Sequence, residues 1–156
     1  MFGLLALIAS STTAVADHPA VLAGIELRAA PRISLTAVHP LGDWAALAET
    51  LTVGLGRFPD LELRAALHEP HLAPVAPWVA IRFRRIDLEE LPPLESYVSF
   101  GLAFSSSLER WLSLDAGAGL RLQLPPLSAE AASDLGTYLA ENVSVELFFG
   151  ARVRLW

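Results

Sequence analysis

Residues 143–155, VSVELFFGARVRL, separate into two faces when every second position is read. Val143, Val145, Leu147, Phe149, Ala151, Val153 and Leu155 form an unbroken apolar side. Ser144, Glu146, Phe148, Gly150, Arg152 and Arg154 form a mixed, largely polar one. Period-two alternation marks a strand whose sides meet unlike surroundings. A strand this long, with no polar break on its apolar side, suits a bilayer crossing, with lipid outside and packed polar groups inside.

Seven upstream runs alternate in the same way: 21–29, 32–39, 50–57, 61–68, 78–86, 97–105 and 111–124. Pro31 and Phe58-Pro59-Asp60 punctuate them as tight turns. Residues 40–49, 69–77, 87–96 and 125–142 read as longer connections, the last opening a short helix near Ser128. Eight strands in one domain predict an all-β fold: a closed eight-stranded antiparallel up-and-down transmembrane β-barrel with a polar, side-chain-filled lumen. Closure with an even strand number leaves no free sheet edge.

The glycines indicate which way the faces point. Seven of the ten (Gly24, Gly54, Gly56, Gly101, Gly117, Gly119 and Gly150) lie on the polar side. On a wet face Gly only weakens a strand; inside a narrow barrel it makes room for long Arg and Glu side chains. The expected lumen charge network is Glu26, Arg28, Glu62, Arg64, Arg82, Arg84, Asp115, Arg121, Glu146, Arg152 and Arg154, held together by bidentate Arg–carboxylate pairs. With the mature N-terminus in the periplasm, Trp44, Trp78, Trp111 and Trp156 all fall at the periplasmic level and Tyr97 near the outer rim. These five are the expected interface aromatics, since amphipathic rings favour membrane–water boundaries.

Composition narrows the class. The chain is 53% hydrophobic, with a mean hydropathy of +0.45, yet no run is long enough for a spanning helix. It has no Cys, which excludes disulfide frameworks, thiol catalysis and Cys-based zinc sites. A net charge of -6 argues against a general nucleic-acid partner. Residues 1–16 read as a signal peptide: an apolar stretch from Phe2 to Ile8, then small residues ending Ala14-Val15-Ala16, an A-x-A-like cleavage site. Residues 17–156 are then the barrel domain, exported to a bacterial outer membrane.

Residues 21–156 resemble the small eight-stranded bacterial outer-membrane barrels of the OmpA and OmpX kind. Gly150, Val153 and Leu155 are similar to the terminal-strand signal of such proteins, with Trp156 one residue beyond the usual aromatic position. The resemblance implies a monomer surrounded by outer-membrane lipid, inserted by the barrel-assembly machinery through its C-terminal strand.

Other chemistry is thin. His68, Glu69 and His71 crowd the end of the fourth run, but the spacing is that of a solvated connection, not a metal site. Ser105-Ser106-Ser107 with Glu109 reads as a turn and cap, not a nucleophile. Asp87, Glu89, Glu90, Glu95, Glu130, Asp134 and Glu141 read as solvated loop acids. No cofactor is expected. The reading is a non-enzymatic envelope protein with a structural role, or at most weak pore activity. The alternatives are a soluble secreted ligand-binding barrel and a lipid-modifying outer-membrane enzyme.

Overall fold

A computed structural model describes residues 19–43, 45–55, 60–69, 74–85, 94–109, 111–124 and 142–155. Eight strands follow one another: β1 (Ala20–Leu27), β2 (Pro31–Pro40), β3 (Ala46–Gly54), β4 (Asp60–His68), β5 (Val75–Arg85), β6 (Leu94–Glu109), β7 (Leu112–Gln123) and β8 (Val143–Arg154). Each pairs antiparallel with its neighbours in sequence, and β1 pairs with β8, so the sheet is a closed barrel.

The register carries the alternation right round the sheet. Leu35, Leu51, Leu63, Ile81, Val98, Leu122 and Val143 are successive partners from β2 to β8, all apolar. One residue along each strand, Thr36, Thr50, Arg64, Ala80, Ser99, Arg121 and Ser144 form the neighbouring ladder. A one-residue slip in any pair would mix these two series.

The same trail measures the stagger. Started at Leu22, partner of Thr36, it arrives at Ser144. Leu22's own partner on β8 is Arg154, ten residues further on. With about 3.3 Å per residue along a strand and about 4.8 Å between strands, that stagger over eight strands tilts them by roughly 40°. A barrel of this size holds side chains and little else.

The apolar series faces outward. Leu63, Phe100, Leu114, Leu120, Leu147 and Phe149 are all exposed, Phe149 to 62%. The buried residues are a different set, comprising small apolar side chains, the aromatics Trp78, Tyr97 and Phe148, and a group of Glu, Asp, Arg, Ser and Thr.

Several boundaries differ from the sequence reading. β3 starts at Ala46, not Thr50. Ala46 and Ala48 are buried interior positions, but Glu49 falls on the outward side and interrupts the apolar series. The connection before it is correspondingly short, closed by Leu41 N–H donating to the Ala45 carbonyl at 2.8 Å and turned by Gly42 at φ 84°. Ser105–Ser107 and Glu109 are not a turn and cap; they lie within β6, held by pairing to Asp115, Leu114, Ser113 and Leu112 with a register shift near Ser107. Pro77 is tolerated in β5 because the β4 ladder ends at Trp78, so no β4 partner misses its N–H. Residues 1–16, read from the sequence as a signal peptide, and the expected helix start near Ser128 lie outside the described residues.

Candidate functional site

Three carboxylates and three guanidinium groups meet inside the barrel: Glu26, Glu62 and Glu146 with Arg28, Arg64 and Arg82. Strand alternation places Glu62 and Arg64 on one face of β4, and pairing sets Arg82 directly opposite Glu62 on β5. Glu26 arrives from β1 beside Gly150, Glu146 from β8, and Arg28 from the turn that follows β1.

Glu62 is at the centre and fully buried. Arg28 grips it in a fork, Nη2 to Oε1 at 2.6 Å and Nη1 to Oε2 at 2.9 Å. Arg82 donates to Oε2 from Nη2 at 2.6 Å and from Nε at 2.9 Å. Arg64 Nη2 bridges Glu62 Oε1 at 2.9 Å and Glu26 Oε2 at 2.8 Å. Arg28 also pairs with Glu26, and both Arg28 and Arg82 pair with Glu146. The six charges balance, as a poorly solvated interior requires.

Phe148 packs against this cluster. It has the parity of Glu146 and is 1% exposed. The Arg64 guanidinium lies 4.1 Å from its ring centroid and that of Arg28 5.4 Å away, both within cation–π range. Trp78 meets Phe148 edge to face, centroids 5.8 Å apart at 73°. Gly117 and Gly119 on β7 create the space for these rings. A Cβ on Gly117 would overlap Phe148, and one on Gly119 would sit 2.7 Å from Trp78 Cζ2. The inward glycines of β7 therefore accommodate aromatic rings rather than the Arg and Glu side chains the sequence suggested.

Two of the expected interface aromatics are buried inside the barrel. Trp78 is buried at 4%, and Tyr97 is likewise buried, its hydroxyl donating to Glu95. Parity explains both: Trp78 shares a side with Ala80 and Arg82, and Tyr97 with Ser99. Trp111 is exposed beside the β6–β7 turn, where its carbonyl accepts the Arg154 N–H at 2.8 Å. Trp44 and Trp156 lie outside the described residues.

The remaining charges are dispersed. Asp115 is buried and accepts from Ser105 Oγ; Arg152 Nε is 3.2 Å from it. His68 ends β4 on the inward side, within electrostatic reach of both Asp115 and Arg152. Arg121 donates from Nε to Ser144 Oγ at 3.1 Å and lies 5.2 Å from the Tyr97 ring. Arg84 is half-buried opposite Glu95. Arg154 has inward parity but is exposed near the end of β8, so it is not part of a buried network. Glu95 is a strand residue, not a loop acid. His71, Asp87, Glu89, Glu90, Glu130, Asp134 and Glu141 lie outside the described residues.

No family model, curated protein or solved structure matches the chain. Sequence reasoning missed Arg32–Asp60, a partly buried pair at 2.7 Å, because Phe58-Pro59-Asp60 reads as a turn. It also missed His39–Glu49, 3.3 Å apart on the outward side, because residues 40–49 read as a connection. Among the described residues no three His, Cys, Asp or Glu side chains are grouped to hold a metal.

Proposed function

We propose that this chain is a bacterial outer-membrane barrel: a monomeric envelope protein of the porin-like, side-chain-plugged kind, exported by its N-terminal segment. One observation carries the proposal, the inverted distribution of polarity. An apolar ladder encircles the outside, while Glu26, Glu62, Glu146 and their arginines are inside. In water, an exposed apolar surface of that extent invites association; in lipid it is the solvated surface. Strand length is consistent with this, since β2 to β8 have nine residues or more, and about 9–11 tilted residues cross a bilayer.

The ion-paired cluster and the Phe148–Trp78 pair fill the cross-section, favouring anchoring and envelope integrity over conduction. A soluble ligand carrier would need the apolar face turned inward, around a pocket. A lipid-acting enzyme would need its nucleophile and base in mutual reach; Ser105 is instead bonded to Asp115. The proposed partners are outer-membrane lipid and the assembly machinery that reads β8. The test is refolding of residues 17–156 into lipid vesicles, read by heat-modifiable gel mobility and protease protection. A chain that stays folded, monodisperse and soluble without detergent or lipid refutes the proposal.

A further inference from the structure

At the end of the barrel marked by the Arg28–Ala30 turn, a cavity of about 460 Å³ opens. Its charged walls are Arg28, Arg32, Arg82, Arg84 and Arg121 against Asp60 and Glu146. From this geometry we infer that this mouth binds a phosphate-type oxyanion.

The carboxylates facing the cavity, and those just behind it, are largely committed. Glu146 and Glu62 take Arg28 and Arg82, Glu26 takes Arg28 and Arg64, and Asp60 takes Arg32. Glu95 is the register partner of Arg84. Two donors remain. Among the described residues Arg121 is bonded to no carboxylate; its Nε meets a serine hydroxyl and its plane a tyrosine ring. Arg32 is 4% exposed, and its Nε has no hydrogen-bond partner among the described residues. Fixed, partly desolvated guanidinium groups match the oxygens of a phosphate in forked pairs. The volume falls within the range of small-ligand sites, and the excess of arginine in the walls disfavours a cation. A soluble phosphate ester and a lipid phosphate offer the same chemistry here.

The inference does not depend on lipid surrounding the barrel, only on the fold. The experiment uses the full chain folded in dodecyl maltoside, which carries no phosphate. Inorganic pyrophosphate and, separately, dioctanoyl phosphatidic acid are titrated calorimetrically at low salt. Saturable one-to-one binding is expected, weakened about tenfold or more in Arg121→Gln through the lost charge-assisted bond, and unchanged in Arg154→Gln. Among the described residues Arg121→Gln orphans no carboxylate, and retained heat-modifiable mobility shows that it folds. Tighter binding of phosphatidic acid assigns the site to a lipid phosphate; tighter binding of pyrophosphate assigns it to a soluble one. The inference is overturned if neither probe saturates at millimolar concentration, if Arg121→Gln binds as well as wild type, or if calcium binds where both probes fail.

Discussion

Replacing Glu62 by Ala tests the reading of the interior most directly. Its carboxylate is the shared acceptor of Arg28, Arg64 and Arg82. Removing it leaves three guanidinium groups facing Glu26 and Glu146 alone. At a charge separation near 4 Å each lost pair amounts to about 4 kcal/mol at an effective dielectric of about 20. The carboxylate's own burial penalty, several kcal/mol, and its repulsion by Glu26 and Glu146, which share its arginines, are removed at the same time. The net expected loss is about 3–5 kcal/mol, the range for breaking a buried pair from one side. Urea unfolding from vesicles or micelles, followed by tryptophan fluorescence and gel mobility, measures it. With a slope of about 2 kcal/mol per M, a 4 kcal/mol loss lowers the midpoint by roughly 2 M. Glu62→Ala combined with Arg82→Ala should recover part of the loss, because the double variant restores charge balance; the cycle isolates the coupling. A midpoint for Glu62→Ala within experimental error of wild type would refute the reasoning. It would mean that water reaches the cluster and screens it.

Other expected outcomes bear on separate features. Leu147→Arg on the outer face should cost about 2–4 kcal/mol in refolding into vesicles if its site is near the bilayer midplane, whereas a neutral result there and at Leu120 would remove lipid from the picture. Gly117→Val should drive a branched side chain into Phe148 at a cost of about 1–3 kcal/mol, and Phe148→Ala in the same chain should relieve that clash. Planar-bilayer recordings of wild type should show at most small currents, and Glu146→Ala should raise them while lowering stability; large steady currents from wild type would contradict a plugged interior.

The strands and their facing were legible because period-two alternation is imposed by geometry, and a wrong parity puts every side chain in the wrong medium. Legibility failed where the alternation weakens. Glu49 on the outward side masks the first residues of β3, and the run Ser105–Ser107 carries no parity signal, so its place in the strand comes from pairing, chiefly with β7. The charge-bearing positions could be read individually, but not their association. That Arg28, Arg64 and Arg82 converge on one carboxylate follows from the stagger and from small residues such as Gly150, properties of the closed sheet. Strand-end position suggests an interface for Trp78 and Tyr97, but parity decides which side of the sheet each faces. Their parity with Arg82 and Ser99 was already visible in the sequence.

The ladder between β1 and β8 has a kinetic meaning. It runs only from Leu22 to Leu27, against Phe149 to Arg154, and is shorter than the β7–β8 ladder beside it. Every other ladder joins strands adjacent in the chain, so each can form as a local hairpin. This one joins strands separated by nearly the whole described sequence, and its loop-closure entropy is the largest in the molecule. Until it forms, β1 and β8 present open edges, and no interior exists for the charge cluster to occupy. Assembly of the cylinder is thus a late, cooperative event that depends on the last strand arriving, and the high contact order makes it slow. Spontaneous opening should begin at the same line, which makes the β1–β8 junction the zipper of the barrel.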